Sequence, residues 1–222
     1  MNIRLIFSAA LLALTANSDA ASYDLSTDWS DTINPNSTWS YLVDGDVASA
    51  GGARSGDVFH APGAPPIWGT SFLGWSQDNG SADYFLDLQP GDVYGHSGVV
   101  AIDWTSPAAG FVDVVGSAWQ LRNIGRSNDW QVLLGDTLLV SGTISSGDGH
   151  SRAFPNSFSF MNLPVLPGEV LEFRAFGHQT FVGDYLGVAL AVSTRPVPLP
   201  SGFWGLVSAL GALGYLRRRS VL

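Results

Sequence analysis

Trp130-Gln131-Val132-Leu133-Leu134-Gly135-Asp136-Thr137-Leu138-Leu139-Val140 decides the fold class, because two runs of apolar and β-prone residues flank a two-residue Gly-Asp connection. Glycine supplies the positive φ that a primed hairpin turn requires, so the stretch is predicted to be an antiparallel hairpin closed at Gly135 and Asp136. Residues 170–176 carry the same signal in another form: Leu171, Phe173 and Ala175 alternate with Glu172, Arg174 and Phe176, the period of a half-buried strand. The same parity turns Val100, Ile102 and Trp104 inward and Asp103 outward. It likewise sets Val112, Val114 and Ala118 against Asp113 and Val115.

Working outward, strand-like runs recur between clusters of Gly, Pro, Asn and Asp at 38–43, 67–75, 84–88, 98–104, 110–121, 130–134, 137–141, 158–163, 170–176 and 185–192. Apart from the two ends, no segment shows helical periodicity. Gly (26) and Pro (12) are abundant, Phe and Trp are plentiful, and lysine is absent, a composition poor in strong helix formers. An all-β antiparallel sandwich is the natural reading of residues 21–195, which are enough for one domain with a sizeable core.

Charge and cysteine content exclude several classes of function. Residues 21–195 contain 16 Asp, 2 Glu and 6 Arg, a net of −12 (6 minus 18), and phosphates would be repelled from such a surface. No nucleic acid is expected as a partner. With no cysteine anywhere, disulfides, metal–thiolate sites and thiol catalysis are all excluded, and the fold must rest on its core.

The two ends read as targeting segments. Residues 1–20 carry Arg4, an apolar run and a small-residue stretch ending Ser18-Asp19-Ala20, the pattern of a secretory signal peptide cleaved between Ala20 and Ala21. At the other end, residues 201–216 form sixteen uncharged positions followed by Arg217, Arg218 and Arg219. As a helix that run is about 24 Å long at 1.5 Å per residue, a marginal match to hydrocarbon roughly 30 Å thick. The arginines mark the cytoplasmic side of such a transmembrane helix. Pro196, Pro198 and Pro200 on alternate positions forbid a helix ahead of it and make a stiff, extended tether.

Together, Val197-Pro198-Leu199-Pro200, the apolar run and the arginine cluster resemble the PEP-CTERM sorting signal of exported Gram-negative proteins, with Leu199 where that motif usually has Glu. The resemblance covers residues 196–222. It implies an exosortase-type membrane protease as partner, cleavage near 197–200, transient anchoring in the inner membrane, and a mature protein at the cell surface or in the extracellular matrix. A second resemblance spans residues 34–193, carried by Leu88-Gln89-Pro90-Gly91, the 99–110 run, the Trp130 hairpin and Leu166-Pro167-Gly168-Glu169. These residues look like the β-sandwich ectodomains found ahead of such tails, which imply a jelly-roll-like fold related to carbohydrate-binding modules.

Candidate chemistry inside the domain is sparse. Gly95-His96-Ser97-Gly98 lacks the second glycine of a nucleophile elbow, since Val99 stands there. His60, His96, His150 and His178 are scattered and show no zinc spacing. The loop aspartates Asp28, Asp31, Asp44, Asp46, Asp57, Asp78 and Asp83 suit Asx turns, with a structural calcium as the alternative use. Trp68, Trp75 and Trp119 are the candidates for a glycan platform, because sugar rings stack on exposed aromatic faces. The expectation is therefore a non-enzymatic exported sandwich with a structural or adhesive role, associated with exopolysaccharide. The alternative is a polysaccharide-active jelly roll using carboxylates from separate strands, or one that only binds the glycan.

Overall fold

The computed structural model describes residues 20–51, 67–70, 73–78, 89, 92–96, 99–121, 125–145, 147–178 and 185–196. Among them there is no helix, and the strands are β1 (Ser22–Asp24), β2 (Trp39–Val43), β3 (Asp46–Val47), β4 (Ala50–Gly51), β5 (Ile67–Thr70), β6 (Leu73–Gln77), β7 (Val93–His96), β8 (Val100–Thr105), β9 (Gly110–Gln120), β10 (Asn128–Leu134), β11 (Thr137–Ile144), β12 (Asn156–Val165), β13 (Val170–Gly177) and β14 (Tyr185–Pro196). They form two antiparallel sheets. One runs β12-β9-β14-β7-β6-β5-β4, with β1 also on β14, and the other runs β11-β10-β13-β8-β2-β3.

The predicted hairpin is β10–β11: Leu134 faces Thr137 across Gly135 and Asp136, and Gly135 has φ +53. Its inward face brings Trp130 and Val132 onto Phe158 and Phe173, with the Trp130 ring centroid 5.4 Å from Phe158 and 6.0 Å from Phe173. Alternation in β8, β9 and β13 is as expected, since Val100, Ile102, Trp104, Val112, Val114, Ala118, Leu171, Phe173 and Ala175 are all buried and Val115 is exposed. From the opposite sheet, Leu186, Val188, Leu190 and Val192 of β14 complete the layer.

One run divides differently from the expectation. Residues 67–75 are not a single strand but the start of a second hairpin, in which Trp68 faces Trp75 and Gly69 faces Gly74. Glycine makes this pairing: Gly69 and Gly74 have φ +129 and +150, and a Cβ on Gly74 would lie 2.0 Å from the Trp68 carbonyl oxygen. Strands β1, β3, β4 and β7 are not among the expected runs, being too short to show a period. The expected strand at 84–88 lies outside the described residues, as do the signal segment before Ala20 and the transmembrane run.

Candidate functional site

The glycan platform expected from Trp68, Trp75 and Trp119 does not form as an exposed aromatic surface, because these residues are 5%, 0% and 4% exposed. Trp68 and Trp75 lie in the core. Trp68 stacks on Tyr41 at 6.3 Å and donates its indole N–H to the Ser30 carbonyl at 2.7 Å. Trp75 covers Gly95, where a Cβ would sit 2.8 Å from the ring. Trp119 does have the outward parity of Asp113, but that end of the sheet is covered. It clusters there with Tyr94, Leu121 and Tyr185 and lies on Gly187, its partner across β9–β14.

Beside Trp119 the same outer face opens into a groove of about 460 Å³. Its floor is built from small side chains, Ser117 on β9, Ser157 on β12, and Ala189 and Ala191 on β14, which leave the backbone layer uncovered. Asp24 stands on one wall, next to Ala191 in register. Its Oδ1 accepts the Ser26 amide at 2.9 Å and the Ser26 hydroxyl at 2.6 Å, an Asx turn that fixes both side chains.

Arg152 and Asp92 form the other wall. Arg152 Nε donates to Asp92 Oδ2 at 2.7 Å and Nη2 to Oδ1 at 3.0 Å, while the Gln89 amide also donates to Oδ2 at 2.7 Å. A forked pair of this kind is charge-assisted and directional, so the guanidinium plane is held rigidly at the groove edge. Hydroxyls, a carboxylate and a fixed guanidinium over an apolar and small-residue floor suit a polyhydroxylated ligand, whose OH groups both donate and accept. Neither Asp92, Arg152, Asp24 nor Ser157 was singled out in the sequence, because no local motif joins them.

Two further groupings lie on or beside the smaller sheet. Asp103 faces Glu172 directly across β8–β13. Burial first, and the Glu172 charge second, push the Asp103 carboxyl up to about 7. Arg174 lies beside Glu172 at 3.6 Å and donates to Gln131. At the end of β13, His178 Nδ1 meets Asp129 Oδ2 at 2.8 Å, and the Thr143 hydroxyl donates to the other oxygen of Asp129. His150 is a loop residue contacting the Phe154 carbonyl at 3.3 Å. His60 and Ser97 lie outside the described residues, and nothing is described of the His96 side chain.

The aspartate loops behave as turns: the Asp24 amide donates to Asp28 Oδ2 at 3.0 Å, and Asp148 caps the Ser145 and His150 amides. Among the described residues, no three or more His, Asp or Glu side chains are grouped so that they could hold a metal ion. Ala20 and Ala21 immediately precede β1, whereas Val197, Pro198, Leu199, Pro200, Arg217, Arg218 and Arg219 lie outside the described residues.

These features define a two-sheet antiparallel β-sandwich with a polar groove on the outer face of its larger sheet. No family model matches the chain, and no curated protein matches it. Among solved structures it is similar to the K3 cleaved adhesin domain of Lys-gingipain from Porphyromonas gingivalis, at 14% identity and TM-score 0.36 over 78% of this chain and 97% of that one. It is also similar to a family 35 carbohydrate-binding module from Clostridium thermocellum, at 12% identity and TM-score 0.31 over 50% and 82% of the two chains. A third is the C-terminal CBM6 of LamC, a marine laminarinase from Zobellia galactanivorans, at 13% identity and TM-score 0.28 over 47% and 79%.

Proposed function

We propose that the protein is an exported, non-enzymatic sandwich that binds polysaccharide through the groove beside Trp119. In this reading an exosortase-type protease sorts it through residues 196–222, and it serves as a structural or adhesive component of the cell surface or an exopolysaccharide matrix. The groove carries the binding part of the reading. Its carboxylates are already engaged, Asp92 by Arg152 and Gln89 and Asp24 by its own turn, which suits holding a ligand rather than transferring a proton. The two ends of the sequence support the delivery part.

Affinity electrophoresis of the mature protein through gels containing neutral polysaccharides tests it. The protein should be retarded by at least one of them, and Ala189→Phe, which fills the floor from an exposed position, should migrate freely. Equal retardation of both would remove the groove as the site.

One observation favours the alternative of a polysaccharide-active enzyme, namely the facing carboxyl groups of Asp103 and Glu172, one of them inclined to hold a proton near neutrality. Glycoside hydrolysis uses two such groups. Release of reducing ends that disappears in Asp103→Asn would establish that reading in place of simple binding.

A further inference from the structure

We infer that the end of the sandwich from which the C-terminal chain departs is a lipid-contacting surface, seated on the bilayer that holds residues 201–216. The inference rests on the sorting reading above and adds to it a face of the folded domain.

Both processed ends leave from this pole. Ser22 pairs with Ser193 across β1–β14, the Ala21 amide donates to Thr194 Oγ1 at 3.0 Å, and the Thr194 amide donates to the Ala21 carbonyl at 2.7 Å. Four residues separate Pro196 from Ser201, and even fully extended they span at most about 18 Å. A domain tethered so closely must present this pole to the membrane.

The pole is apolar where it protrudes. Its two tips are the β8–β9 turn, with Pro107, Ala108 and Ala109 exposed, and the β12–β13 turn, with Leu166 67% exposed and Pro167 exposed beside it. The tips are bound to each other: the Ser106 amide donates to the Glu169 carbonyl at 2.8 Å, and the Gly168 amide donates to the Ser106 carbonyl at 2.8 Å. The Ser106 hydroxyl also donates to the Ala108 carbonyl at 2.8 Å. Between the tips and β14 lies a recess of about 110 Å³ lined by Tyr23, Ala108, Ala109, Phe111 and Val165.

Two of the charges at this edge are engaged. Arg195, which lines the recess with its side chain 47% exposed, pairs with Asp113, and the Glu169 carboxylate accepts the Leu166 amide at 2.8 Å. Asp136, exposed on the neighbouring β10–β11 turn, disfavours anionic headgroups, so the partner is a zwitterionic bilayer surface. Rigid apolar tips around a small recess are what an interface a few ångströms into the headgroup layer accommodates.

Because the chain has no cysteine, single labels are unambiguous. The full chain is reconstituted in phosphatidylcholine vesicles containing spin-labelled lipid, with an environment-sensitive fluorophore at Leu166→Cys, at Ala108→Cys, or at Asp46→Cys. Asp46 opens β3, just after the β2–β3 turn at the opposite pole, since Val43 pairs with Val100 while Trp39 pairs with Trp104 near the tips. The labels at 166 and 108 should be quenched several-fold more than the label at 46. Equal quenching at all three in a vesicle-bound chain overturns the lipid-contacting pole while leaving the sorting reading standing. A chain that does not float with the vesicles overturns the sorting reading and this inference with it.

Discussion

Trp130 lies flat against Gly142, the residue opposite it in the β10–β11 register, so closely that a Cβ on Gly142 would fall 2.7 Å from the indole ring. The ring cannot retreat, because it is 1% exposed and stacked on Phe158 and Phe173. Gly142→Ala should therefore cost about 1–3 kcal/mol, the usual penalty for overpacking a filled core. Chemical denaturation would show it as a lower midpoint with an unchanged slope, and an unchanged midpoint would contradict the packing.

The turn of the same hairpin gives a milder prediction. Gly135 has φ +53 and open space around its Cβ position, with Glu169 Oε1 the nearest atom at 3.9 Å. Gly135→Ala should cost about 1–2 kcal/mol through backbone strain alone. Gly135→Asn should recover most of it, because asparagine tolerates the left-handed region. Thermal melts of the two variants separate conformational strain from crowding.

The groove wall supplies a test of geometry as against charge. Arg152→Lys keeps the positive charge but loses the planar fork that meets both oxygens of Asp92. Polysaccharide affinity should fall by about tenfold, equivalent to about 1.4 kcal/mol, while the melting temperature changes little. Binding equal to that of the unaltered protein in a titration would show that the guanidinium does not position the ligand.

Asp103 sets a pH dependence of definite sign. Its carboxyl is raised to about 7, chiefly by burial and then by Glu172. Its unfolded value lies near 4, so the native state holds the proton more tightly, and the stability it confers is full below about pH 4 and lost as pH rises through about 7. Asp103→Asn should raise the melting temperature at pH 8 and shrink the difference between pH 5 and pH 8. An undiminished difference would place the titrating group elsewhere. Asp113 works in the opposite sense, held below the usual carboxylate range first by the Asn162 amide and then by Arg195. Its contribution is present at neutral pH and lost on acidification.

The strands that could be read from the sequence are those with one wet and one dry face. In β13, and in β9 as far as Ala118, each inward residue is followed by a more exposed outward one, and burial repeats the alternation. Residues 67–75 hid their turn because the reversal is made by two facing glycines among apolar residues rather than by a polar loop. The tryptophans were misjudged for a related reason. Parity gives the side of a sheet on which a ring lies, as for Trp119, but not whether that side is covered. The groove was invisible for want of locality, since Arg152 and Asp92 are sixty positions apart and meet only once β7 and the β11–β12 connection are in place.

Delivery through the two ends is the claim on which the surface role depends, and mass spectrometry of the intact mature protein from its native cells addresses it most directly. The mature chain should begin at Ala21 and end near residues 197–200. A mature chain that still carries residues 201–222, or that retains residues 1–20, would contradict it.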